Sequence, residues 1–398
     1  MTVIAPVVRT RYPGLDTLRA IAAIAVVGTH TSFWAGSYSH GTLGMASQRL
    51  EVGVAIFFVL SGFLLSMPWF ASQRGHRPHD STGRYFWKRA LRILPVYWMT
   101  VVAAMLLLKD NRHLGASRWV LNLLLLDLYK SDSLPHGLTQ MWSLTTEAAF
   151  YIVLPALMWL ALVAISRRQW RPNRLFLALI GLGAANVAWT GFVTSHVSTF
   201  DGWANRWLVS YLLWFSIGIM FAIIAVDLPS PKSFLSPKVA ALATSPITCW
   251  SIALSVFFLA STPLAGSPEL VVIAPHEAVT RTLLYAVVAT MIVVPSIFGD
   301  QDSTYARVLA LRPLRHLGHI SYSLFCCHVI VLELVSNWTR YQLFRGHALE
   351  LFALTLGISL IVAELMYQLI EKPFLHLKDR RPPKAFDSRT PRTTATIS

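Results

Sequence analysis

The sequence predicts an all-α, polytopic integral membrane bundle of about ten transmembrane helices. Three observations lead there. Charged residues make up only 13% of the 398-residue chain, about half of what a soluble globular chain carries. Hydrophobic residues make up 55%. They are clumped into runs of about 18 to 24, the length that crosses a hydrocarbon core.

Along the chain, spans are expected at 15–34, 52–71, 90–108, 145–165, 174–194, 207–226, 246–262, 280–298, 317–338 and 348–371. The seventh is the weakest, because Pro246 and Pro263 crowd its ends. Trp119–Leu128 is apolar but too short to cross, and reads as an interfacial or re-entrant helix. Arg9 and Arg11 ahead of a long apolar run look like a signal peptide. That run is too long and holds Arg19 and His30, so an uncleaved first helix is expected. The organisation is then a cytoplasmic N-terminus at 1–14, a membrane domain at 15–373 and a disordered basic tail at 374–398, rich in Pro, Arg and Thr. No internal repeat is evident, which argues against an inverted-repeat transporter.

The net charge of +15 invites a nucleic-acid reading. An even number of spans puts both termini on one side. If that side is the cytoplasm, the inner segments carry most of the basic residues, from Arg74, Arg84 and Lys88 through Arg167, Arg168 and Arg315 to the tail after Lys372. This is the bias that orients membrane proteins. The basic excess is topology, no nucleic-acid partner is expected, and the chain is placed in the cytoplasmic membrane with both termini inside. Cys249, Cys326 and Cys327 all fall within spans and suggest neither a disulfide framework nor a metal site.

An ionisable residue inside a span costs several kcal/mol and is a functional candidate by default. Arg19 and His30, eleven residues apart, lie on one helical face about 16 Å apart along the axis. One face thus presents a cation near the inner headgroups and an imidazole deep in the membrane. The structural alternative is that Arg19 pairs with Asp16 while His30 bonds a neighbouring helix. Arg89 and Arg92, three apart in YFWKRALRILPVYW, place two guanidiniums on one face, as an anionic ligand such as a phosphate requires. Ordinary positive-inside anchoring explains that spacing equally well. Glu147, in WSLTTEAAFYIVLP, is expected one turn inside the outer end of the fourth helix, at the depth of His30. A carboxylate and an imidazole at one depth suit a base and its orienting group. The alternative is a carboxylate that merely favours a helix start.

Weaker candidates follow. GVAIFFVLSGFL offers small residues for close helix packing, with Ser61 and Gly62 at a kink. His328 and Glu333 in the ninth helix are candidates for the same cavity, although His328 reads equally well as a satisfied core histidine. Glu371 is expected to pair with a loop Arg or Lys, and His136 to lie on the outer surface within reach of a polar acceptor.

With these residues in place, the chain resembles the acyltransferase 3 family of membrane-bound acyltransferases. The resemblance runs from Gly14 to Pro373 and rests on six ordered motifs: GLDTLRAIAAIAVVGTH, GVAIFFVLSGFLL, KRALRILPVYW, WSLTTEAAFYIVLP, LGHISYSLFCCH and LIEKPF. It implies a ten-helix bundle that moves an acyl group, usually acetyl, from cytoplasmic acyl-CoA to a hydroxyl of an extracytoplasmic carbohydrate or glycolipid. Acyl-CoA is then a co-substrate, with no bound cofactor. Arg19 and His30 match the family's R-x10-H pair, Arg89 and Arg92 its paired arginines, and Glu147 its WSL-x-x-E acid. His30, Glu147 and Arg19 are expected in catalysis. Arg89, Arg92, His328 and Trp142 are expected in substrate binding.

Two departures stand out. The extra C-terminal esterase-like domain of some members is absent, so its role is expected to be dispensable or supplied by a separate extracytoplasmic partner. The ninth-helix motif reads SLFCCH rather than the commoner SLYLWH. On this reading CoA phosphates meet Arg89 and Arg92, with Arg19 as an optional third contact, and His30, as neutral imidazole, is the general base on the acceptor hydroxyl, with Glu147 either orienting it or holding the sugar. An acyl-histidine intermediate is the variant. The competing class is a lipid or ion transporter or flippase using the same buried charges. A third reading, an inactive assembly partner, sits poorly with the intact Arg19, His30, Arg89, Arg92 and Glu147 set.

Overall fold

The computed structural model describes residues 12–37, 41–75, 79–131, 133–196, 204–228, 241–266 and 273–377. The expectations for the first residues of the N-terminus and for the tail beyond Leu377 lie outside them. Among the described residues every regular element is helical. Among the described residues nine helical segments are long and apolar enough to cross a membrane, which makes the chain a multi-pass membrane protein.

The principal helices are α1 (Pro13–Ala35), α2 (Gly53–Gln73), α3 (Thr82–Leu107), α4 (Met141–Trp159), α5 (Pro172–Ser195), α6 (Leu212–Asp227), α7 (Pro246–Ala260), α8 (Pro275–Phe298), α9 (Arg312–Thr339) and α10 (Ala348–Met366). The expected spans all fall on them. α7 is the exception to the length rule. Pro246 occupies its first turn and Pro263 lies just beyond its end, leaving 15 residues, about 22 Å of helix against a core of about 30 Å. Proline suits the first turn of a helix because that turn's N–H groups have no partner anyway. Pro13, Pro172, Pro275 and Pro313 are used in the same way.

Trp119–Leu128 does not cross. It folds as a short helix, Ala116–Leu123, followed by a tight turn at Asp127–Tyr129. Val120, Leu124 and Leu126 are exposed, whereas Asn122 and Asp127 are buried and bonded to each other at 3.0 Å. Polar-in and apolar-out is the arrangement expected of a segment bordering lipid.

Helices meet closely where glycine permits it. A Cβ on Gly62 of α2 would stand 2.3 Å from the Phe215 carbonyl oxygen, and one on Gly218 of α6 would stand 2.1 Å from the Val59 oxygen. A Cβ on Gly318 of α9 would lie 2.0 Å from the Asp16 oxygen of α1. In lipid there is little hydrophobic drive between helices, so such close backbone contact supplies the attraction. α2 is clasped to α6, and α1 is clasped to α9 and α10. These contacts set the rotation of the helices that carry the candidate site.

Candidate active site

Among the described residues, two of the cavities adjoin at Val54 and reach toward opposite ends of the bundle. The first, of about 100 Å³, is lined by Arg19 of α1, Ser61 of α2, Arg89 and Arg92 of α3, Glu147 and Tyr151 of α4, and Tyr322 and Phe325 of α9. It runs from Arg19 and Arg89, near the end at which α1 and α3 begin, to Val54 and Ser143 in the first turns of α2 and α4. The second, of about 320 Å³, lies toward the other end and takes in Glu51, Trp142, Arg206, Tyr211, Arg281 and Tyr285. Val54 lines both.

In the smaller cavity the Glu147 carboxylate accepts hydrogen bonds from Ser61 Oγ and, at 2.6 Å, from Tyr151 Oη. The Arg89 guanidinium stands 6.0 Å from the Tyr151 ring centre, and its Nε is buried without a hydrogen-bond partner among the described residues. A buried donor with no acceptor is costly, and an anion entering here would satisfy it. Arg92 is committed differently. Its Nη1 lies 2.5 Å from Glu371 Oε1, and Glu371 also accepts from Ser323 Oγ at 2.8 Å. Arg19 forms a 3.7 Å ion pair with Asp16, as the structural alternative for that residue has it. It also lines the cavity.

These contacts correct three expectations. Glu371 pairs with Arg92 inside the bundle, not with a loop cation; it ends a π-helical turn, Tyr367–Glu371, that follows α10. Such turns rotate the following side chains off the α-helical register. Glu147 does not orient His30. No hydrogen bond or ion pair joins the two among the described residues, because Ser61 and Tyr151 engage the carboxylate within the arginine cavity. Glu333 does not line the same cavity either. It accepts the Gly137 backbone N–H at 2.7 Å and stands 3.5 Å from His136, so it anchors the loop before α4.

His30 meets His328 instead. Their ring centres are 5.2 Å apart with the planes inclined by 51°. His328 is fully buried, and its Nδ1 lies 2.7 Å from the Phe325 carbonyl oxygen. A carbonyl only accepts, so Nδ1 carries the proton and Nε2 the lone pair. That Nε2 is buried with no partner among the described residues. Neither imidazole lines either cavity. Phe325, which lines the smaller one, stands 5.9 Å from the His328 ring. His328, expected to bind substrate, is a buried neighbour of His30.

Trp142 belongs to the larger cavity, away from Arg89 and Arg92. The Arg206 guanidinium lies 4.9 Å from its ring centre, and the Tyr211 ring packs 5.3 Å from it. Arg281 stands 3.8 Å from Glu51, which also accepts from Tyr285 Oη at 3.0 Å. Sequence reasoning missed Ser61 as a polar contact, and Tyr151 altogether. Tyr151 was within reach, since it lies four residues from Glu147 on the same helical face. Glu51, Arg206 and Arg281 come from distant segments and carry no local motif.

Residues 12–364 match the family model described as Acyltransferase domain, Acyl_transf_3. The chain is similar to the peptidoglycan O-acetyltransferase OatA of Listeria monocytogenes, with 24% identity over 391 residues, 92% of this chain and 56% of that protein. It is similar to the O-acetyltransferase OatA of Staphylococcus aureus at 23% identity over 376 residues, 91% of this chain and 57% of that protein. The chain thus spans a little over half the length of these relatives. Acyltransferase MdmB of Streptomyces mycarofaciens is 27% identical over 403 residues, 94% of either chain. No solved structure matches.

Proposed function

The chain belongs to the acyltransferase 3 family of membrane acyltransferases, and from that premise we propose that it moves an acyl group, acetyl by default, from cytoplasmic acyl-CoA to a hydroxyl of an extracytoplasmic carbohydrate or envelope glycolipid. The observation that carries this reading is the pair of cavities toward opposite ends of the bundle with Val54 in the wall of each. A donor and an acceptor that arrive from different sides of a membrane need such an arrangement.

The smaller cavity suits the donor. Its arginines attract phosphate, and the orphaned Arg89 Nε offers a hydrogen bond to an incoming anion. At about 100 Å³ it admits a thin thioester arm and leaves the nucleotide at the mouth. Arg92, held by Glu371, contributes field and shape more than a ready donor.

His30 is the general base. It takes the proton of the acceptor hydroxyl as the oxygen attacks the thioester carbonyl carbon. The carbon–sulfur bond breaks, the proton passes from His30 to the departing sulfur, and the products are an O-acyl ester and CoA thiol. In this mechanism the two rings, 5.2 Å apart, close until His328 Nε2 accepts from His30 N–H, which fixes which His30 nitrogen faces the hydroxyl. For this to operate, Phe325 must swing out from between the smaller cavity and the imidazole pair.

The test compares envelope glycolipids and polysaccharides by mass spectrometry from cells with the wild-type protein, without it, or with His30→Ala. One acyl increment seen only with the wild type supports the reading. An increment that persists in His30→Ala removes His30 from the chemistry. An unmodified lipid accumulating on one leaflet moves the protein to the transporter class.

A further inference from the structure

A further cavity, of about 70 Å³, adjoins the arginine cavity. The two share Leu64, Leu65 and Arg89, so Arg89 stands at the join. Beyond Arg89 the wall turns aromatic. The indole of Trp69, near the end of α2, is half-buried and carries the exposed His79 imidazole flat on one face. Their ring centres are 4.3 Å apart and the planes are inclined by 27°. Tyr85 of α3 braces the indole edge-on at 6.4 Å, and its hydroxyl donates to the Tyr151 carbonyl oxygen of α4 at 3.1 Å. The indole is thereby fixed by neighbouring helices, whereas the imidazole on it comes from the connection between α2 and α3. A flat ring at stacking distance on a braced indole stands where a nucleobase would lie, since stacking needs only a π-face.

Cations lie beside that platform. Lys88 and Arg89 both line the cavity. Lys88 Nζ lies 2.6 Å from Asp80 Oδ2, and Arg84 Nε lies 3.2 Å from Asp80 Oδ1. The Asp80 side chain is 40% exposed, and an ion pair so open to water contributes little. A phosphate therefore takes Lys88 from Asp80 at small cost. Aromatic platform, then cations, then a narrow cavity is the order of parts in a CoA thioester: purine, phosphates, pantetheine arm.

We propose that Trp69 is the platform on which the purine of the acyl-CoA donor stacks, and that His79 is the ring the purine displaces. This rests on the donor reading of the arginine cavity given above. The space of about 70 Å³ is well below the roughly 300 Å³ at which small-molecule sites begin. The base enters only as His79 leaves, and in the free protein His79 keeps the indole covered.

Isothermal titration calorimetry on the protein in lipid nanodiscs tests it, with coenzyme A and phosphopantetheine as the two probes. Coenzyme A should bind at least about tenfold more tightly, the scale of one base stacked on an aromatic ring. Trp69→Ala should bring coenzyme A down to the affinity of phosphopantetheine, whose own binding stays unchanged. Trp69→Phe should keep most of the preference. His79→Ala should tighten coenzyme A alone by about threefold, because no aromatic pair then has to be broken. Equal binding of both probes by the wild type overturns the inference. So does a preference that survives Trp69→Ala, or a loss in that variant shared by both probes, which assigns Trp69 to packing. An unchanged coenzyme A affinity in His79→Ala overturns the displacement of His79. Binding of neither probe by the wild type overturns the donor reading itself, and the inference with it.

Discussion

His30 and His328 stand with ring centres 5.2 Å apart, and the Nδ1 of His328 is taken by its own helix through Phe325 O. A histidine so anchored has its Nε2 lone pair fixed in direction. On the proposed mechanism that lone pair takes the orienting role that a carboxylate performs in many base pairs, without placing a negative charge in the membrane.

His328→Phe keeps the volume and removes the acceptor nitrogen. The expected result is a fall in kcat of about 10- to 100-fold, the usual effect of losing an orienting partner, with donor KM unchanged. Steady-state release of CoA thiol by the purified protein measures it. A changed KM at constant kcat would place His328 in substrate binding instead.

Arg89 and Arg92 share a face but not a role. Arg89→Gln should raise the donor KM about tenfold or more, since a charge-assisted contact is worth about 1.5–3 kcal/mol, and leave the melting temperature alone. Arg92→Gln strands the buried Glu371, which costs about 3–5 kcal/mol in stability. Adding Glu371→Gln should recover most of that loss. Thermal unfolding of the single and double variants decides it.

Glu147 supplies negative charge among three arginines. Glu147→Gln keeps an acceptor for Ser61 and Tyr151 while removing the charge, so anion attraction should strengthen. Donor KM is expected to drop about fivefold, roughly 1 kcal/mol. A collapse of kcat at unchanged donor KM would return Glu147 to the acceptor chemistry.

Val54 faces both cavities. Val54→Phe should fill the junction and lower kcat at least about tenfold, with an overpacking cost of about 1–3 kcal/mol. Retention of labelled acetyl-CoA on the protein should be unaffected. Normal turnover in that variant would show that passage past Val54 between the two cavities is not needed for transfer.

Where the chain crosses is legible in its local hydropathy. Each span is a local sum of transfer free energies, so 174–194 could be read without its neighbours and returned as Pro172–Ser195. Pairs on one helix, such as Arg89 with Arg92, are equally legible in the sequence, because 3.6 residues per turn is a local rule. Tertiary structure alone decided the partners across helices: His30 with His328, Arg92 with Glu371, Glu147 with Ser61, and the walls of the larger cavity. The physical reason is that apolar side chains cover the lipid-facing sides and much of the inward sides alike, so hydrophobic periodicity does not mark which way a helix is turned. That rotation is set by close backbone contacts such as Gly62 against Phe215 and Gly318 against Asp16, and each depends on two residues far apart in the chain.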